Sequence, residues 1–302
     1  MTRPDLRGMR IAVTGASGFC GGAVTRAAAD AGATVICLGR RPGPVGEHRY
    51  WDATSTTPDL TDTDLVVHLA AAVGDPPPGR AAERAFRSVN VDGTARLLDS
   101  LGDRPLVWVS SASVYRRPGS APIREDHPLG GRTAYGRTKA EGERLAGTVG
   151  AVILRPRAVY GRDDPHLLPR LRRAVRGGRV LLPGPDVPLS LTAVENLADA
   201  CLAARDWPPG PYNIADATPY PRDEIVATAC GHPVQHVPIP PVRALALASG
   251  LIARLTLRER LLSGYALEQL TTPFTLDITR ALSQGWTPHR SFHDTARALG
   301  WR

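Results

Sequence analysis

Tyr135 and Lys139 stand four residues apart in the stretch YGRTK, a spacing that puts both groups on one face of a helix. A free phenol titrates near about pH 10 and is a poor acid–base group at neutrality. A neighbouring ammonium stabilises the phenolate and brings it into use. Lysine suits that work better than arginine, because its compact charge and rotatable donors can also reach ribose hydroxyls. Lys139 is the one lysine among 37 Lys and Arg residues, so it persists against a strong compositional bias towards arginine. An exposed Tyr beside a solvated Lys would show the same spacing. A third component lies upstream, where the apolar run VWV ends in hydroxyls at Ser110, Ser111 and Ser113. Any of these can bond a reacting oxygen, although serine is equally ordinary in a strand-end turn.

A cofactor for such a pair is implied by Thr14–Gly21, which reads TGASGFCG directly after an apolar run. Its glycines permit a tight turn and close approach of backbone to a pyrophosphate, and the following helix offers unpaired N–H donors. Gly15, Ser17, Gly18, Phe19 and Cys20 are the expected contacts. The next strand ends Leu38-Gly39-Arg40-Arg41, without the carboxylate that would bind a ribose 2′-hydroxyl. Arg40 and Arg41 suit a 2′-phosphate instead. NADP is therefore favoured over NAD.

The elements that must position these groups alternate. Strands are expected at Met9–Thr14, Thr34–Leu38, Asp64–Leu69, Leu106–Val109 and Ala151–Leu154, with helices over 19–31, 80–101 and 132–148. Near-continuous Val/Ile/Leu runs fit a parallel sheet covered on both faces, and the rhythm predicts a doubly wound α/β (Rossmann) fold. Leu189–Ala193 and Tyr212–Ile214 are expected to return to the main sheet around a helix from Val194 to Arg205. Beyond about Pro219 a smaller, mostly helical lobe is expected. Residues 1–165 plus 189–215 would form the NADP-binding domain, and 166–188 plus 216–302 a substrate lobe.

Composition excludes several classes. A net charge of +8 raises nucleic-acid binding, but the arginines are scattered and aromatics make up 5%, so no basic stripe with stacking residues exists. Cys20, Cys37, Cys201 and Cys230 lack metal-ligand spacing, which predicts a reduced cytoplasmic protein without a metal. No signal peptide is visible. The most apolar stretch, Ala244–Ala253, is too short to span a bilayer.

Taken together, TGASGFCG (14–21), Asp52-Ala53, HLAA (68–71), NVDGT (90–94), SSASVY (110–115), YGRTK (135–139) and LRPRAVYG (154–161) resemble the extended short-chain dehydrogenase/reductase superfamily. That resemblance implies Ser111 as the catalytic serine, Tyr135 as the acid–base residue and Lys139 as its activator. It places Asp52 and Ala53 at the adenine, Leu69, Ala70 and Ala71 along the cofactor, and Pro156, Ala158 and Val159 near the nicotinamide. A homodimer through the helices over 80–101 and 132–148 is likewise implied by the resemblance.

Departures from the family's patterns sort its chemistries. Dehydratases carry Asp-Glu after the catalytic hydroxyl, where this chain has Ala112 and Ser113. Nucleotide-sugar epimerases tend to have Asn before VYG, where Arg157-Ala158 stands, and Arg-Asp-Phe where Leu189–Thr192 stands. The stretches 164–179 and 189–200 resemble the 3β-hydroxysteroid dehydrogenase-like and ketone reductase branch. The implied activity is hydride exchange between a secondary alcohol and a ketone on a small, largely apolar metabolite. Val73, Ser113, Arg157 and Leu191 are the expected substrate contacts, and Arg116-Arg117 adds charge near the mouth. An epimerase with a retained cofactor and a non-catalytic cofactor sensor are the alternatives.

Overall fold

The computed structural model describes residues 5–74, 79–116, 119, 121–165, 167–172, 174–244 and 264–301. Its main sheet contains β1 (Arg10–Thr14), β2 (Thr34–Gly39), β3 (Glu47–Tyr50), β4 (Leu65–His68), β5 (Leu106–Val109), β6 (Val152–Pro156) and a last strand, Gly210–Ile214. These seven strands run in the order β3-β2-β1-β4-β5-β6 and then Gly210–Ile214. Every pairing between them is parallel. The chain's direction of travel across the sheet reverses between β1 and β4, where Thr14 pairs with His68. That crevice at the strands' carboxyl ends is where doubly wound sheets bind ligands.

The apolar runs are continuous because both sheet faces are covered. Ile11, Val13, Val35, Val67 and Leu154 pack with α1 (Phe19–Asp30) and the helix Val194–Ala203. Alternate residues Ala12, Ile36, Val66, Trp108 and Ile153 pack with α3 (Asp92–Leu101) and α4 (Ala134–Gly147). Full burial of each such large aliphatic chain contributes about 1.5–3 kcal/mol, so a polar residue at any of these places would be costly.

Several expectations needed correcting. The helix expected over 80–101 is divided at Val91 into α2 (Arg80–Asn90) and α3, and Thr94 donates its hydroxyl back to the Asn90 carbonyl at 2.8 Å. Such back-bonding competes with a regular helix. Leu189–Ala193 does not join the main sheet. Its ends split into Pro188–Leu189, paired with Tyr220–Pro221, and Thr192–Ala193, paired with Val159–Tyr160. β3, with the polar sequence EHRY, gave no apolar signal because it is an exposed edge strand. Beyond the main sheet, Val175–Arg176, Arg179–Pro183 and Val234–Val237 form a three-stranded sheet alongside the helices. Arg117 and the apolar stretch from residue 245 to 263 lie outside the described residues. No helix among the described residues is long and apolar enough to cross a membrane.

Candidate active site

Two close approaches fix α4, one to the turn that follows β5 and one to the end of α2. Thr133 caps the helix by accepting a hydrogen bond from the Gly136 N–H at 3.0 Å. A Cβ at Gly136 would fall 2.4 Å from the Ser113 carbonyl oxygen, so only glycine lets the helix begin this near the serines. One and a half turns on, a Cβ at Gly142 would fall 2.4 Å from the Asn90 carbonyl oxygen.

The three candidate serines then separate. Ser110 is buried and donates to Glu143 at 2.7 Å. Ser113 supports Ser111, whose Oγ accepts from the Ser113 N–H at 3.2 Å and the Ser113 hydroxyl at 3.0 Å. Ser111 acts on the Tyr135 phenol, drawing its titration down. Its own proton is left to donate, to the phenol oxygen or to a reacting oxygen.

Burial pushes the Tyr135 phenol up to about 12, with Ser111 pulling the other way. The phenol is thus protonated at neutral pH. Lys139, 1% exposed, donates to the Val109 carbonyl at 2.7 Å and lies 3.6 Å from the centroid of the Trp108 ring. Burial pulls its ammonium down to about 7, and Glu143 opposes that pull. The sequence predicts a phenol eased downward by lysine; in the folded chain desolvation is the largest influence and raises it, and the lowering comes from Ser111.

The crevice side is built from β1 and the turn after it. Gly15 has φ +69°, and a Cβ there would sit 2.9 Å from the Ala70 amide nitrogen. Gly18 caps α1 in an extended conformation with no side-chain hydrogen bond, and no acidic residue lies in the first turn. The amides of Phe19 and Cys20 therefore open α1 with no acidic side chain of the helix's own first turn beside them, an arrangement that fits a dinucleotide pyrophosphate. Thr14 ties the turn to β4: its hydroxyl accepts from the Leu69 and Ala70 amides at 3.1 and 3.0 Å and lies 2.8 Å from His68 Nδ1. A hydroxyl that accepts twice donates to the ring, so the His68 proton sits on Nε2. Burial pushes His68 down to about 3, so it is neutral.

Arg40 and Arg41 are exposed immediately after β2. The Asp52 carboxylate accepts from the Thr54 N–H at 2.9 Å and hydroxyl at 2.7 Å. Those bonds hold it below the usual carboxylate range, with Arg40 and Arg96 contributing. Ala53 lies under α3, where a Cβ at Gly93 would be 2.9 Å away.

The sequence matches the model of the NAD dependent epimerase/dehydratase family over residues 11–215. The chain belongs to that family. It is an NAD(P)-dependent enzyme of the extended short-chain dehydrogenase/reductase type. It is 29% identical to a 2-alkyl-3-oxoalkanoate reductase of Stenotrophomonas maltophilia over 96% of this chain and 98% of that one. It is also 29% identical to a UDP-glucose 4-epimerase of Streptomyces lividans, over 76% and 83% of the two chains. A short-chain dehydrogenase/reductase superfamily protein from Agrobacterium tumefaciens with bound NAD superposes with a TM-score of 0.75, at 22% identity over 96% and 95% of the chains.

Other residues picked out by the epimerase/dehydratase motifs fall in varied surroundings. Ala71 leads into a loop whose next residue, Ala72, is held by Asn90: its N–H donates to Asn90 Oδ1 at 2.8 Å and its carbonyl accepts from Asn90 Nδ2 at 3.2 Å. Val73, on the same loop, is 50% exposed. Pro156 ends β6, and Val159 begins the short strand that pairs with Thr192. Between them Ala158 has φ +44°, a left-handed backbone that Asn adopts more easily than Ala. Ser113 lines a cavity of about 20 Å³ together with Ala112, Tyr115, Tyr265, Gln269 and Phe274. Arg157 is buried behind that wall: it donates to the Ser190 carbonyl at 2.9 Å and Gln269 Oε1 at 3.2 Å and stacks 4.2 Å from the Phe274 ring. The structure places Leu191 in a core cluster with Tyr160, Tyr220 and Phe292, rather than beside Ser113.

Sequence reasoning missed Glu143, Arg155 and Tyr265. Glu143 lies four residues after Lys139, so the spacing that linked Tyr135 to Lys139 also reaches it. Tyr265 acts on the titration of both Tyr135 and Arg157 from the start of the helix Gly264–Thr271. No local pattern marks it. Among the described residues, no cluster of three His, Cys, Asp or Glu is placed to hold a metal.

Proposed function

We propose that the protein interconverts a secondary alcohol and a ketone with NADP(H), on a small and largely apolar metabolite. The observation that carries this reading is the Tyr135 phenol within the influence of Ser111 and protonated at neutral pH, with the Lys139 ammonium one helical turn away at the end of β5. When bound, the nicotinamide supplies or accepts the hydride. Ser111 donates to the substrate oxygen, and Tyr135 delivers the proton that turns it into an alcohol. Lys139 holds the ribose and limits the cost of forming the phenolate.

Ala112 and Ser113 occupy the places of the dehydratase acid pair, so elimination of water lacks its proton carriers. Arg40 and Arg41 favour NADP through charge-assisted bonds to a 2′-phosphate. Residues 1–165 plus 189–215 form the cofactor domain in this reading, and 166–188 plus 216–302 the substrate lobe. The chain would work in the cytoplasm, which its four free cysteines suit, and as a homodimer through α2 and α4.

A panel of ketones, including 2-alkyl-3-oxoalkanoates, tests the activity by NADPH consumption. Stoichiometric consumption with alcohol formed is the expected result. Isomerisation of a nucleotide sugar with no net cofactor change would replace the reductase with an epimerase. Tyr135→Phe should lower turnover by at least about 10²-fold.

A further inference from the structure

One face of α4 meets three consecutive residues at the end of β5. Tyr135 feels Ser111, Lys139 donates to the Val109 carbonyl at 2.7 Å, and Glu143 receives the Ser110 hydroxyl at 2.7 Å. The stripe has the spacing i, i+4, i+8, and its first two members are the acid–base residues proposed above. The third is 5% exposed and its partners occupy the whole carboxylate. Besides Ser110, Glu143 accepts from Arg155 Nε at 3.1 and 3.2 Å and is ion-paired to a terminal nitrogen of the same guanidinium. Arg155 in turn donates to the Tyr115 phenol at 2.9 Å and the Glu125 carbonyl at 2.9 Å. The Tyr115 phenol donates to Asn213 Oδ1 at 2.6 Å, which anchors the network in the last strand. The carboxylate is thus held rigidly, one helical turn below a buried ammonium.

We infer that Glu143 is a positioning residue for the reaction: it keeps the buried Lys139 charged and, through Ser110, fixes the strand end that carries Ser111. The inference rests on the Ser111–Tyr135–Lys139 reading. A buried ammonium whose hydrogen-bond partner is a neutral carbonyl loses its proton readily unless a carboxylate stands near. The titratable and charged groups around Lys139 are Tyr135 and Glu143 on its own helix and His68 on β4. Arg155 on β6 and the Tyr115 phenol stand behind Glu143. His68 is neutral and Tyr135 protonated, which leaves Glu143 as the anion facing the ammonium. Its action agrees in direction: Glu143 raises Lys139 against the lowering by burial.

The composition supplies a clean test. Lys139 is the only lysine in the chain, so protein labelled with [15N]lysine gives one side-chain nitrogen resonance, whose pH titration needs no substrate. In Glu143→Gln the midpoint is expected to fall by at least about one pH unit, with Glu143→Asp returning it to within about half a unit. The alkaline limb of turnover should move down by the same amount. Removal of one partner can unfold a buried ion pair, so the double variant Glu143→Gln/Arg155→Gln is measured in parallel. Its midpoint is expected to fall also, because the lost carboxylate is the nearer charge. An unchanged midpoint in either folded variant overturns the inference, as does a turnover limb that stays in place while the midpoint moves. Failure of the catalytic reading itself shows separately, as retained turnover in Tyr135→Phe.

Discussion

Lys139 Nζ lies 3.6 Å from the centroid of the Trp108 ring, so the chain's one lysine is sealed between an aromatic face and the end of β5. Burial draws it from an ordinary 10.5 down to about 7. A folded value below the unfolded one means that the unfolded chain holds the proton more tightly. The destabilisation is therefore full below pH 7 and fades as pH rises towards 10.5.

Lys139→Met should accordingly lower turnover by at least about 10²-fold while stabilising the fold by about 1–3 kcal/mol at pH 7. The lost bond to Val109 offsets about 1 kcal/mol of the larger gain that burial alone implies. Denaturant unfolding at pH 7 and pH 10 checks this, and the gain should shrink at the higher pH. Lys139→Arg is the less informative variant, since a guanidinium over Trp108 would overpack a site with 1% exposure.

Gly136→Ala is predicted to damage catalysis more than cofactor binding. The added Cβ would meet the Ser113 carbonyl oxygen at 2.4 Å and force α4 away from the serines. A displacement of about 1 Å between Tyr135 and Ser111 suffices for a loss near 10²-fold in kcat. Cofactor affinity should fall by less than kcat does, because the glycine turn after β1 is built from other residues and α4 contributes only the Lys139 hold on the ribose. Equal losses in both quantities would mean that the whole crevice had moved.

What could be read from the sequence was whatever depends on local spacing. The TGASGFCG turn, the β1–α1 unit and the shared face of Tyr135 and Lys139 all follow from intervals of three or four residues. The choice among Ser110, Ser111 and Ser113 did not, because Glu143 from α4 claims one of them and Tyr135 another. The upward shift of Tyr135 and the downward shift of Lys139 were not legible for a related reason. Spacing gives the neighbour, but the desolvation that dominates both groups comes from packing of distant elements. β3 was invisible because an edge strand exposed on both sides needs no apolar run. Tyr265 and Gln269 reach the site only through the fold of the later lobe.

His68 should make the acid limb of stability steeper. Its folded value of about 3 lies below the ordinary 6.5, so its contribution is complete above pH 6.5 and is lost as pH falls towards 3. That one group accounts for about 1.4 kcal/mol per pH unit across the window. His68→Asn keeps an acceptor for the Thr14 hydroxyl but cannot charge. It should be less stable than the parent at pH 7, with the gap closing by roughly that amount per unit between pH 6 and pH 4. Parallel stability curves would show that His68 is not the titrating group.

Arg40 is expected to set cofactor preference. It is exposed immediately after β2, on the side of the crevice where Asp52 lies, and its charge acts on that carboxylate. Thr54 holds Asp52 through Oδ1, and no hydrogen bond ties Arg40 to that carboxylate among the described residues, so the Arg40 guanidinium is available to a phosphate on the adenosine ribose. A charge-assisted hydrogen bond of this kind is worth about 1.5–3 kcal/mol. Wild-type protein should therefore bind NADPH more tightly than NADH in a fluorescence titration. Arg40→Ala should weaken NADPH by about 10- to 100-fold and leave NADH within about twofold. Arg41→Ala separates the two neighbours: an equal loss there would make the site a shared pair. Tighter binding of NADH by the wild-type protein would remove the role assigned to both arginines and turn the preference to NAD.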